Sequence, residues 1–421
     1  MPATSTNLIN DTNKYLSKRY IARAELLNRF PQLCDSEPLP QGHGRTANFV
    51  RYDRPPIPMS PLSEGVTPTE TPYTISTYTV TPDQYGLFMS VTDLGELSTK
   101  SPQMQRIVEL LGDAIARVYD WTIADVLLAG SSFQYWDGSI ASRAALVVGS
   151  IFRKDVFGKA LVTLRNNGAP ARAGQYYVAL LSPNIEADIL NETAGAGFTG
   201  YALMKANSGD TGPLEKGTVG EYLGFRLIRS NFLPRFTRYT TTHTTTAQTT
   251  GTLATATYYW KIVRRSIQRG FSEEMTIEGS TAVTGPSGSV RFVPPATAGF
   301  VYDIYVGSTT GDANLRLAIQ GQLAGTVAGT GTDVGAIPTS GATAPGTPAA
   351  GLTIHPVFCV ASEAIDWVPL AGSNVEGMMT PKTASDSDPL IQRRKVGSKY
   401  AAKAGVRDNT RIIIIELAQS L

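Results

Sequence analysis

Charge is scarce in this chain. Only 17% of its 421 residues are charged, against roughly 25% in an average soluble domain. A surface so poor in charge is often one that other subunits cover. The net charge is +2, which excludes a strong field recruiting nucleic acid or anionic lipid. There are two cysteines, Cys34 and Cys359. Two distant thiols make neither a disulfide framework nor a zinc site, and they read as reduced, buried side chains. The three histidines, His43, His243 and His355, include no pair at metal-ligand spacing. No stretch approaches the roughly 20 apolar residues of a membrane span. The polar start, Met1 to Asn10, has no signal-peptide core. The expectation is a protein made and kept in a cytoplasm, with no membrane partner.

Catalytic vocabulary is missing as well. The chain has no Gly-x-Ser-x-Gly elbow, no Walker loop and no HExxH. Gly195-Ala196-Gly197 precedes no lysine-bearing loop and reads as a flexible connection. Asp83 and the Asp386-Ser387-Asp388 run are turn acids, which usually cap or solvate. No catalytic residue, cofactor or metal is expected, and the chain is not read as an enzyme. Arg393, Arg394 and Lys395 read as guards of a strand edge, with contact to nucleic acid as the alternative.

What is present is a threonine-rich, low-charge block over residues 236–353. Thr237, Thr240, Thr241, Thr242, Thr244, Thr245 and Thr246 open it, and Pro345, Gly346, Pro348 and Gly351 close it. Tyr258 to Val263, Gly299 to Gly307 and Arg316 to Ile319 read as strands within it. Short strands with turn signals between them suggest a β-sandwich of the immunoglobulin or fibronectin type. The block therefore reads as a domain carried on a loop of a host fold. Removing residues 238–350 and bridging with a short Gly-Ser linker is expected to leave a soluble host.

The host reads in five parts. Residues 1–52 form an arm, with Arg45, Phe49 and Arg51 in an alternating run. Residues 53–97 form a proline-rich extended loop read as a β-hairpin. Tyr73, Ile75, Thr77 and Thr79 alternate before Thr81-Pro82-Asp83; Tyr85, Leu87, Met89 and Val91 alternate after it. Two strands cannot bury both faces alone, so this loop wants a partner surface. Residues 98–170 hold the clearest helix, 101–130, capped by Ser101 and Pro102 and ended by Gly130. Residues 150–235 read as α/β, and 171–235 of them form the fourth part. Residues 354–421 return to the host, with Thr353 to Val360 and Arg411 to Leu417 as strands. The run Ile412-Ile413-Ile414-Ile415 argues a strand covered on both faces.

The carriers of a family resemblance are Gly44-Arg45-Thr46-Ala47-Asn48-Phe49-Val50-Arg51-Tyr52 and Pro61-Leu62-Ser63-Glu64-Gly65-Val66-Thr67-Pro68. Gln84-Tyr85-Gly86, Val91-Thr92-Asp93 and Asp125-Val126-Leu127-Leu128-Ala129-Gly130 continue it. In this order they resemble the major capsid proteins of tailed bacteriophages, of the Hong Kong 97 fold type and the phage N-four-like branch.

The resemblance implies an α+β capsid fold with an N-terminal arm, an extended loop, a spine-helix peripheral domain and an axial domain. It implies hexamers and pentamers of an icosahedral head enclosing double-stranded DNA, touched non-specifically on the inner face. A separate scaffolding protein, a portal and a decoration protein are implied partners, and assembly would take place in the host bacterial cytoplasm. No lysine occurs between Lys18 and Lys100, so the loop cannot supply a lysine for an isopeptide cross-link. The short region after Met1 leads to the expectation of no large self-encoded scaffold and no removed prohead peptide. The residues expected at subunit interfaces are Arg45, Arg51, Arg54, Glu64, Glu70, Tyr73 and Tyr85; for Glu64 a solvated loop carboxylate is the alternative. An encapsulin-like compartment, a tail or adhesin protein, and a hydrolase with a carbohydrate-binding module are the competing classes.

Overall fold

In chain order the elements begin with β1 (Asp35–Ser36), β2 (Ala47–Tyr52), β3 (Ile75–Val80), β4 (Asp83–Thr92) and the long helix α1 (Gln103–Ala129). Next come β5 (Phe133–Tyr135), α2 (Lys154–Asn166), β6 (Tyr177–Leu181), α3 (Pro183–Asn191), β7 (Thr218–Tyr222), β8 (Phe225–Arg229) and β9 (Arg235–Arg238). Then come the strands β10 (Thr244–Leu253), β11 (Ala256–Ser266), β12 (Ser272–Met275), β13 (Gly279–Val283), β14 (Gly288–Val293), β15 (Phe300–Gly307), β16 (Arg316–Leu323) and β17 (Thr332–Val334), with a short 3-10 turn at Asp312–Asn314. The last are β18 (Thr353–Val360), β19 (Ile365–Pro369), β20 (Glu376–Met379), β21 (Arg393–Val406) and β22 (Ile412–Ala418). This computed structural model describes residues 29–40, 42, 44–52, 57, 61, 64–65, 67, 70, 73–92, 103–130, 132–172, 175–191, 218–239, 244–266, 272–284, 288–293, 300–323, 332–340, 342–370, 376–379 and 393–419. The fold is mixed α+β and mostly sheet. It divides into two units: Met1–Leu127 with Glu363–Asn409, and Leu128–Ser362 with Thr410–Leu421.

In the first unit, α1 forms because apolar residues recur every three or four positions. Val108, Leu111, Ile115, Ile123 and Leu127 are no more than 2% exposed. Its 27 residues span about 40 Å. The expected cap, Ser101 and Pro102, lies outside the described residues. Tyr119 stacks on Tyr400 of β21 at 4.3 Å and lies 5.0 Å from Trp367 of β19. Those strands belong to a five-stranded sheet, β1-β19-β21-β20, with β4 also paired to β21.

A separate two-stranded ribbon joins β2 to β3, in register from Ala47 opposite Val80 to Tyr52 opposite Ile75. This corrects the expected hairpin. The alternating runs on either side of Thr81-Pro82 are both strands, but they do not pair with each other. The first pairs with β2, and the second pairs along β21 from Asp83 opposite Ala402 to Thr92 opposite Arg393. Pro82 has no N–H to give to a hairpin ladder, and its carbonyl instead accepts from Arg45 Nε at 3.1 Å.

The second unit is built on a twelve-stranded sheet, ordered β16-β15-β11-β12-β9-β18-β6-β8-β7, with β13 on β11, β22 on β18 and β5 on β22. Helices α2 and α3 cover one face. Phe157, Ala160 and Leu164 of α2 and Ile185 of α3 meet Ala179, Leu181, Phe225, Val357, Ile413 and Ile415. The start of α3 is capped by a side chain: Ile185 N–H donates to Ser182 Oγ at 3.4 Å. Every residue of β22 is buried, as its isoleucine run requires. Cys34 and Cys359 are both reduced thiols, and both are buried.

The threonine-rich block folds as two layers. The strands β13, β11, β15 and β16 face a three-stranded sheet, β10-β14-β17, across a core that includes Tyr258, Ile262, Phe292, Tyr302, Ile304 and Val334. The first layer does not stop at the block's edge. β12 pairs in parallel with β9, and β9 pairs with β18. A shared core joins Leu146, Phe236 and Ile354 to Val263, Met275 and Tyr305. Buried Arg143 donates to Glu416 and, at 3.3 Å, to the Gly346 carbonyl. The expectation of a host indifferent to loss of residues 238–350 therefore needs revising, because that deletion would uncover apolar residues on the remaining side.

Candidate assembly surface

The β2–β3 ribbon has two unlike faces, because side chains alternate along a strand. Ala47, Phe49 and Arg51 share one face with Ser76, Tyr78 and Val80. That face is buried or half-buried, and it packs with Leu39, Val368 and Leu370 of the same unit. Phe49 and Tyr78 stack at 5.0 Å. Arg51 reaches Asp408 at 3.3 Å.

The opposite face belongs to water, yet much of it is apolar. Val50 is 53% exposed, Tyr52 69%, and Ile75 45%. Tyr52 and Ile75 are direct cross-strand partners. Beyond the strands, Tyr73 is 70% and Ile57 81% exposed, and Tyr73 lies 6.4 Å from Tyr52, ring to ring. Contiguous exposed apolar side chains on a two-stranded element mark a surface that a partner covers. Burying one such side chain contributes roughly 1.5–3 kcal/mol.

The sequence-expected interface residues divide sharply. Tyr73 lies on this apolar surface. Glu64, in a turn beside Gly65 at φ 79°, and Glu70 are exposed. Arg54 lies outside the described residues. Arg45 pairs with Asp83 at 3.2 Å, and Lys403 also reaches Asp83, at 3.0 Å, so that acid is held by two cations. Arg51 is tied to Asp408, as above. Tyr85 sits on β4, in the five-stranded sheet rather than on the ribbon, and stacks on Tyr400 at 5.6 Å. Sequence reasoning missed Val50, Tyr52 and Ile75, although apolar residues at consecutive odd and even positions near Tyr52 were the available signal. It also missed Asp366, a lone acid inside the apolar strand Ile365-Asp366-Trp367-Val368.

Other candidate chemistry is structural. His355 is buried between Asn184 and Gln419, each at 3.3 Å, and burial holds its pKa below the usual imidazole value. Burial likewise pushes the Cys359 thiol up. A cleft of about 890 Å³ lies beside β5 and α2. Around it Lys159 pairs with Asp137 at 3.3 Å, and Gln134 Nε2 donates to the carbonyls of Trp136 and Val156. Hydrogen bonds from Ser139, then Lys159, hold Asp137 down at about 2. Among the described residues no cluster of three metal-binding side chains occurs, and no helix is long and apolar enough to cross a membrane. The expected basic run begins β21: Arg393, Arg394 and Lys395 are paired by backbone with Thr92, Val91 and Ser90, and Lys395 is exposed. His43, His243, Gly195 to Gly197 and Asp386 to Asp388 lie outside the described residues.

The whole arrangement has relatives among solved structures. The capsid of Ralstonia phage GP4 matches with a TM-score of 0.51 at 12% identity, over 92% of this chain and 87% of that one. This is a phage capsid fold. The cyanophage Pam1 capsid asymmetric unit also shares it, with a TM-score of 0.50 at 12% identity, over 90% of this chain and 86% of that one. No protein-family model matches the chain, and no curated protein matches it by sequence. The likeness in the capsid fold thus lies in the arrangement of elements. It spans both units, since more than nine-tenths of this chain aligns with the GP4 capsid.

Proposed function

We propose that this chain is a major capsid protein: a non-catalytic subunit that builds the head of a tailed bacteriophage of the phage N-four-like branch. The observation that carries the reading is the ribbon's exposed apolar face, Val50, Tyr52, Ile75 and Tyr73, on a chain with a phage capsid fold. In a Hong Kong 97-type subunit this ribbon would be the base of the extended loop. Residues 98–170 would be the peripheral domain with its spine helix, residues 171–235 the axial domain, residues 236–353 an immunoglobulin-like insertion, and residues 354–421 the return to the axial and peripheral domains. The chain would form hexamers and pentamers of an icosahedral shell around double-stranded DNA. A separate scaffolding protein, a portal and a decoration protein would complete the virion capsid, assembled in the bacterial cytoplasm.

The mechanism is mechanical. Each ribbon contact contributes only a few kcal/mol, but every subunit gives one and receives one, so a closed shell multiplies a weak contact by avidity. With no lysine between Lys18 and Lys100, the extended loop holds its neighbour without an isopeptide bond from its own side. The test is electron microscopy of the purified full chain, with and without the candidate scaffolding protein of the same genome. Closed shells of uniform size are expected. Monomers or fibres under every salt and partner condition would overturn the reading.

A further inference from the structure

The ribbon's inner face meets one fully buried polar group. Asp366 of β19 is 0% exposed and accepts a hydrogen bond from the Tyr78 hydroxyl of β3. Arg407, just past β21, closes the other side: its Nε donates to Asp366 Oδ2 at 2.9 Å and its Nη2 to Oδ1 at 2.6 Å. The register partner of Asp366 on β21 is Gly405. A Cβ at position 405 would lie 2.3 Å from Val80 Cγ2 and 3.5 Å from Tyr78 Cε2. The missing side chain is thus what lets the ribbon lie close enough for Tyr78 to reach the carboxylate.

The other inner-face contacts are apolar, Phe49, Ala47 and Val80 on Leu39 and Val368, apart from the pair of Arg51 with Asp408 at the ribbon's far end, where the Arg51 side chain is 37% exposed. Apolar attraction is not directional and would tolerate a ribbon that slid or rotated. A buried carboxylate held by a fork of two guanidinium bonds adds little net stability over an apolar replacement, but it can select one arrangement. We propose that Asp366 is the positioning residue of the ribbon: Tyr78, Asp366 and Arg407 lock its inner face over Gly405, and so aim Val50, Tyr52 and Ile75 at the neighbouring subunit. This rests on the reading of the chain as a shell subunit.

Tyr78→Phe removes one hydroxyl and keeps the stack on Phe49, and Gly405→Ala wedges the ribbon away from the opposite side. In both full-length variants, amide hydrogen exchange at residues 47–52 and 75–80 is expected to rise about tenfold. Exchange in β18 and β22 and the denaturation midpoint of the second unit should stay as in wild type, and shell formation should slow or become irregular. Unchanged ribbon exchange in both variants overturns the proposal, as does wild-type speed and regularity of assembly. If wild type itself never forms shells while ribbon exchange rises in the variants, the shell reading falls and the local lock stands.

Discussion

The β2–β3 ribbon and the β18–β22 pair are written in the same alphabet of valine, isoleucine and aromatics, and they end in opposite states. β18 and β22 lie deep in a twelve-stranded sheet, and Val357, Phe358, Ile413, Ile414 and Ile415 are at most 4% exposed. The ribbon has two strands, covers one face with its own unit, and leaves Val50, Tyr52 and Ile75 about half or more exposed. Strand propensity is equal in the two places. What differs is how many neighbours the chain itself provides. Where it provides both faces, apolar residues build a core; where it provides one, they are left for the neighbour that the proposed shell would supply.

The sharpest way to break that comparison is to strip neighbours from the well-covered side. Deleting residues 238–350 removes β12 from β9 and uncovers Leu146, Phe236 and Ile354. The truncated chain should be insoluble or lose cooperative unfolding, measured by expression partition and a urea transition followed by circular dichroism. Next in size is the buried ion pair of the same unit. Replacing Glu416 by Ala leaves Arg143, 6% exposed, charged and without its bidentate partner. The expected cost is about 3–5 kcal/mol in the urea transition.

A smaller effect is tied to pH. Asp120 on α1 is buried, accepts from Phe30 N–H at 3.3 Å, and is pushed up to about 7 by desolvation, against the backbone bonds and the nearby Arg29. A carboxyl whose folded pKa is raised favours folding in its protonated form. Its contribution is full below about pH 4 and fades as pH rises to about 7, by up to about 4 kcal/mol. Stability of wild type should therefore fall more steeply than that of Asp120→Asn between those limits, in denaturation series across pH. The smallest effect on the folded subunit belongs to the ribbon. Tyr52→Lys with Ile75→Glu puts opposite charges on directly opposed positions and should change subunit stability by less than about 1 kcal/mol, because both side chains are largely in water, while abolishing shell formation by light scattering.

Much of this was legible locally. The spacing of Val108, Leu111, Ile115, Ile123 and Leu127 announces α1, and the isoleucine run of β22 announces burial on both faces. Tyr258 to Val263 and Phe300 to Gly307 are strands where their composition places them. Pairing was not legible, because β3 and β4 alternate alike and the partner of β4 lies some three hundred residues further on in β21. Composition marked residues 236–353 as different in kind, but it could not show that β12 continues a sheet through β9. At the candidate surface, charged residues drew attention, yet Arg45 and Arg51 are engaged within their own subunit. The informative residues were apolar ones at positions where solvent favours polar side chains; adjacent Phe49 and Val50 hint that both faces are apolar, but which face is left to solvent follows only from the register and packing.

The most direct test is hydrogen exchange on the ribbon in free subunits and in assembled shells. The account predicts that amides of residues 48–52 and 75–79 gain strong protection on assembly, while those of β18 and β22 exchange equally slowly in both. Ribbon amides that exchange at the same rate in closed shells as in free subunits would contradict it.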